Sequence, residues 1–183
     1  MTTLEGREAT ALLVLDVQNG VIGNAYRRDE VVENIRALVD RARAADVPVV
    51  WFQHSDEHVP LGSEAWQFVP DLNRDDGERV IPKRYPDAFD ETTLESALAD
   101  LGVGRIVVAG AQSDQCIRAT IHGAFTRGYD VTLVGDAHTT EDLSEWGAPP
   151  PAVMIGLVNF FWTEHEGPRR TAEVVDTADV DFG

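Results

Sequence analysis

The 183-residue sequence predicts an α/β fold, a three-layer α/β/α sandwich on a mostly parallel, Rossmann-like central sheet. Two observations carry this expectation. Apolar runs of strand length alternate with segments of helical periodicity, and the runs are continuous, as expected of strands covered on both faces. Right-handed crossovers then make the strands parallel. No repeat and no shift in composition divides the chain, so residues 1–183 read as a single domain.

Residues 11–17 form the first run, Ala11 to Val17, interrupted by Asp16 and closed by the turn-like Gln18-Asn19-Gly20. Residues 29–45 place Val31, Val32, Ile35, Leu38, Val39 and Ala42 on one helical face, with Asp29 at a capping position. A second strand, 47–53, enters through Pro48. Residues 54–81 are rich in Pro, Gly and Asp without periodicity, so this stretch reads as a lid or a linker. A short helix over 92–101 follows, capped by Thr92 or Thr93 and ended by Gly102 and Gly104. Then come a third strand (106–110), a helix (115–127) closed by Gly128, and a fourth strand (129–134). Pro149, Pro150 and Pro151 start a helix that is apolar nearly all round from Val153 to Phe161, and residues 172–175 read as a fifth strand.

Composition narrows the function classes. Acidic residues number 32 against 15 basic, a formal net charge of −17, which disfavours nucleic acid and anionic membranes as partners. The pairs Arg27-Arg28 and Arg169-Arg170 are too isolated to form a basic patch. No apolar run approaches spanning length and the N-terminus lacks a secretory pattern. A single cysteine, Cys116, excludes an intramolecular disulfide framework and suits a reducing compartment. A cytoplasmic location is expected.

In an open parallel sheet, ligands bind beyond the carboxyl ends of the strands. Three reactive side chains map there: Asp16 at the end of the first run, Cys116 after the third, and Lys83 in Val80-Ile81-Pro82-Lys83-Arg84-Tyr85-Pro86. Each has a plain reading beside the functional one. Cys116 is either a small core residue or a thiol whose thiolate a helix N-terminus stabilises. Asp16 either caps its turn or is a partly desolvated carboxylate that needs a cation. Lys83 is either a solvated loop lysine or that cation.

Taken together, the order Asp, Lys, Cys resembles the isochorismatase-like cysteine hydrolases, the family of nicotinamidases and N-carbamoylsarcosine amidase. Leu13-Val14-Leu15-Asp16-Val17-Gln18-Asn19 resembles the opening strand of that family, and Pro82-Lys83-Arg84-Tyr85 with Phe89 its lysine segment. Gly110-Ala111-Gln112-Ser113-Asp114-Gln115-Cys116 resembles the nucleophile turn, and Val134-Gly135-Asp136-Ala137 the end of the fourth strand.

The resemblance implies a catalytic triad. Cys116 would attack an amide carbon to form an acyl-thioester, Asp16 would carry the proton from thiol to leaving amine, and Lys83 would hold Asp16 and favour the thiolate. The backbone amides of Gln112 and Cys116 would form the oxyanion hole across a cis peptide between Ala111 and Gln112. Small carboxamides, lactams and ureido compounds are the expected substrates, with Gln18, Trp51, His54, Trp66 and Tyr85 as pocket candidates. No cofactor is expected. Nicotinamidases carry an Asp-x-His pair in a metal site, whereas here the order is His54-Ser55-Asp56-Glu57-His58, so no metal is expected, although those three side chains leave the question open. The apolar helix after Pro150 implies a homo-oligomer. Two other readings remain: a catalytically silent, flavodoxin-like ligand-binding domain, and a vinyl ether hydrolase of the isochorismatase type.

Overall fold

The computed structural model describes residues 2–183. Six parallel strands, β1 (Ala9–Leu15), β2 (Val49–His54), β3 (Arg79–Lys83), β4 (Val103–Ala111), β5 (Asp130–Thr139) and β6 (Ala172–Val175), lie in the order β3-β2-β1-β4-β5-β6. The order reverses between β1 and β4, which opens the crevice expected at the switch point of such a sheet. Helices α1 (Asn19–Ile22) and α2 (Arg28–Ala44) cover one face; α3 (Leu94–Asp100), α4 (Arg118–Arg127) and α5 (Pro151–Thr163) cover the other. The α/β/α expectation therefore holds.

The continuous run in β1 explains itself in these two layers. Ala11, Leu13 and Leu15 pack with α3, α4 and α5, while Leu12 and Val14 pack with α2. The C-terminal Val180 and Phe182 close the α2 layer. Among the described residues, no helix is long and apolar enough to cross a membrane.

The sequence pattern does not reveal β3, because Pro82 and the charged neighbours Arg79 and Lys83 disguise it. At an edge, a proline costs no ladder bond, and β3 is an edge strand. The fourth expected strand also runs five residues further. Val108 pairs with Leu133 but Gly110 with His138, so residues 134–137 bulge out before pairing resumes. Asp29 does not cap α2; it lies in the first turn after Arg28, where its charge still faces the helix N-terminus. Gly128 ends α4 at φ 107°, as expected. The stretch from 55 to 78 is laid along 17–20: Val69 N–H donates to Val17 O, Asn19 N–H to Gln67 O, and Gly20 N–H to Ala65 O.

Candidate active site

The carboxyl edge of the sheet brings Asp16, Lys83 and Cys116 together. Asp16 is the first residue past β1 and has φ 52°, a left-handed conformation that Asp tolerates better than most residues. Lys83 ends β3, paired in register with His54. Its Nζ lies 2.8 Å from Asp16 Oδ2 and donates to Cys116 Sγ at 3.1 Å and to Tyr85 O at 3.0 Å. Both charged side chains are buried. Neither Asp16 oxygen receives a well-aligned hydrogen bond, so charge attraction holds Oδ2.

These contacts set the ionisation. Burial alone would lower the Lys83 pKa, but the Asp16 carboxylate and the Cys116 sulfur more than offset it, so the ammonium is held above its ordinary range. Cys116 goes the other way from the preformed thiolate. Burial and the Asp16 charge outweigh the pull of Lys83, and the thiol is pushed up to about 12. The resting nucleophile is therefore a neutral thiol beside a carboxylate, which must lose its proton as it attacks.

Cys116 sits inside a single π-helical turn, Ser113–Ile117, that leads into α4. Such turns are wider than an α-helical turn and often occur at functional sites. Gln112 O accepts from both Gln115 N–H and Ile117 N–H at 3.1 Å. The Ala111–Gln112 peptide bond is cis, and the Gln112 N–H meets no acceptor among the described residues. The Gln112 side chain donates to Val21 O at 3.1 Å.

Above the trio lies a cavity of about 480 Å³, walled by Asp16, Cys116, Gln112, His54, Arg84 and Glu141 among others. Of the five pocket candidates, His54 alone lines it. The Gln18 side chain is a buried clamp that accepts from His54 N–H and donates to His54 O and Trp66 O. Trp51 is buried in the α2 layer with its indole N–H on Glu78. Trp66 is partly buried beside the clamp, and Tyr85 is exposed, offering its carbonyl to Lys83.

His54, Asp56 and His58 do not converge. His54 Nε2 pairs with Asp56 Oδ2 at 3.1 Å, whereas His58 Nε2 lies 3.5 Å from Glu57. No cluster of three metal-ligating side chains occurs among the described residues. Sequence reasoning does not single out Arg84 and Glu141. Arg84 follows Lys83 directly, and Glu141 follows β5, but the bulge hides that strand's true end from a periodicity reading.

Comparison with known proteins bears on the fold and the sequence. The isochorismatase domain profile matches residues 10–148. A streptothricin hydrolase of Streptomyces noursei is 35% identical over 147 residues, covering 75% of this chain and 57% of that protein, so this chain spans little more than half of that relative's length. A ureidoacrylate amidohydrolase, RutB, of Enterobacter sp. (strain 638) is 25% identical over 187 residues, covering 75% of this chain and 81% of the relative. The crystal structure of an isochorismatase from Pseudomonas putida KT2440 superposes with a TM-score of 0.85 at 31% identity, covering 94% of this chain and 90% of that one. With its fold and its sequence in agreement, the chain belongs to the isochorismatase family.

Proposed function

We propose that this chain is a cysteine-dependent amidase that cleaves the C–N bond of a small carboxamide, lactam or ureido compound through an acyl-thioester. The observation that carries the reading is a buried ammonium, Lys83, bridging a carboxylate at 2.8 Å and a thiol at 3.1 Å in the wall of a cavity. In the proposed sequence, Asp16 takes the Cys116 proton as sulfur attacks the carbonyl carbon. The Gln112 and Cys116 amides receive the oxyanion. Asp16 returns the proton to the leaving nitrogen, then deprotonates the water that releases the acid and restores the thiol. Lys83 holds the Asp16 carboxylate in place through their 2.8 Å contact.

A relative named for streptothricin and one named for ureidoacrylate support a substrate with a polar body around the scissile amide. Arg84 and Glu141 support it too, since both line the cavity and neither has an ion-pair partner among the described residues. The test is intact-mass trapping of an acyl-enzyme from a panel of carboxamides, lactams and ureido acids, with Cys116→Ala as control. An adduct on wild type and none on the variant is expected. Undiminished hydrolysis by Cys116→Ala would overturn the cysteine-dependent reading, and turnover of a vinyl ether by that variant would favour the isochorismatase-type reaction. Binding without turnover by wild type would favour a silent ligand-binding domain.

The chain is also proposed to assemble with copies of itself through α5. That helix carries no charged residue in a chain of net charge −17, and it leaves Val153, Leu157, Phe160 and Phe161 exposed, the last at 62%. Light scattering at micromolar concentration should show a dimer or larger, and Phe161→Glu a monomer. A monomeric wild type refutes it.

A further inference from the structure

One buried titratable group has no part in the proposed chemistry. His138, near the end of β5, is 1% exposed, yet both ring nitrogens are bonded. Nδ1 lies 2.7 Å from the hydroxyl of Ser113, and Nε2 lies 2.8 Å from Asn159 Oδ1 on α5. The Asn159 amide nitrogen in turn donates to Gly135 O at 3.0 Å. That last bond settles the direction of the rest. With its NH₂ facing a carbonyl, Asn159 presents oxygen to His138, so Nε2 carries the proton and Nδ1 accepts from Ser113. Burial drives the His138 pKa down to about 4 against the pull of Asn159 and Asp136, so the ring stays neutral at ordinary pH.

Ser113 opens the turn that holds Cys116, and it is wholly buried. Its neighbour is tied to the same strand end, since Thr140 Oγ1 donates to Asp114 Oδ1 at 2.5 Å. His138 and Thr140 lie two residues apart, on one face of an extended segment. They reach the turn only because β5 resumes pairing beyond its bulge.

We infer that His138 is a positioning residue for the nucleophile turn, holding the Ser113 hydroxyl so that the Gln112 and Cys116 amides keep one geometry. The inference rests on the amidase reading for its kinetics but not for its structural readout. A plain core residue in this place would be apolar. Instead a one-way chain of donors runs from Ser113 through His138 and Asn159 to Gly135, in which each bond polarises the next.

The test separates the two ring nitrogens. Ser113→Ala and His138→Leu remove the Ser113 bond; His138→Asn keeps an acceptor at the δ position, whereas His138→Gln keeps only the ε donor toward Asn159. Each variant is assayed for kcat and KM, and for hydrogen exchange over residues 111–117. Ser113→Ala should lower kcat about tenfold or more with KM within about twofold, because a small displacement of oxyanion donors costs transition-state stabilisation before binding. It should also speed exchange in the turn. His138→Asn should restore most of both properties and His138→Gln neither. Wild-type kcat and exchange in Ser113→Ala would overturn the inference, as would equal rescue by Asn and Gln. Absence of amide hydrolysis in wild type would sink the amidase reading alone and leave the exchange pattern to decide this one.

Discussion

Lys83→Met should make Cys116 harder to alkylate and Asp16→Asn should make it easier, although both should abolish turnover. The prediction follows from the causes of the thiol's ionisation. Burial and Asp16 push the Cys116 pKa from 9.0 to about 12, and Lys83 pulls against them. At pH 8, wild type therefore carries roughly a thousandfold less thiolate than an unperturbed thiol. Its rate of reaction with iodoacetamide should climb about tenfold per pH unit from pH 7 to beyond 10 without levelling. Opposite unit charges at the 3.1 Å Lys83–Cys116 separation attract by about 5 kcal/mol at an effective dielectric of ~20. Partial water access to the half-buried thiol reduces this, so a slowing of about a hundredfold is expected for Lys83→Met. Asp16→Asn removes a raising charge and should speed alkylation about tenfold or more. Intact mass against time over a pH series measures all three proteins, each kept below its melting temperature, with urea-unfolded controls that should react alike. Levelling below pH 9 in wild type would refute the neutral-thiol argument. Equal rates for wild type and Lys83→Met would refute the coupling of ammonium to sulfur.

The same ammonium has a signature in stability. Because the folded-state pKa of Lys83 is raised, its contribution is fully present below the unfolded value of about 10.4 and is lost as pH rises through the folded value. The raised Cys116 pKa adds its own loss from about pH 9, so the comparison is made in a Cys116→Ala background: melts should fall above about pH 10.4 with Lys83 present and fall less with Lys83→Met, and equal falls would show the alkaline loss comes from elsewhere. Gln18→Leu strips the partners from His54 N–H and His54 O and leaves Trp66 O only its 3.2 Å bond from the Gln53 side chain, at a cost of about 3 kcal/mol and a Tm loss of about 6–12 °C. Faster proteolysis within residues 55–69 should accompany it, and a Tm within about 2 °C of wild type would count against the clamp. Gly110→Ala would put a Cβ 2.1 Å from Leu15 O at φ 123°, costing at least about 3 kcal/mol, whereas Gly62→Ala at φ 79° has open space and should cost about 1 kcal/mol. Equal melts for these two variants would show that β1 and β4 yield at the switch point.

Much of the fold and the trio is legible in the order of residues. Strands covered on both faces leave few polar positions, so β1 from Ala11 and β4 from Ile106 announce themselves as unbroken apolar runs. A charged residue inside such a run is conspicuous, which is how Asp16 stands out. Lys83 is harder to find, because its strand carries a proline and lies at an edge where alternation is weak. The pocket candidates fare differently because residue type alone marks them. An indole or an amide near a strand end faces the cavity or the core according to one residue of register. Trp51 and Gln18 face inward to satisfy Glu78 and the His54 backbone, while Arg84 and Glu141 take the cavity wall.

Local periodicity and order along the chain are enough for the layer architecture, the edge at which chemistry resides, and the three side chains that resemble a hydrolase triad. The state of the nucleophile lies beyond their reach, since the pKa of Cys116 is the balance of burial, Asp16 and Lys83 brought together from three strand ends. What steadies the nucleophile turn is likewise a matter of three-dimensional packing. The Ser113–His138–Asn159 chain joins the turn after β4 to β5 and α5 across a bulge over residues 134–137, and a through-space hydrogen bond leaves no period in the residues that make it.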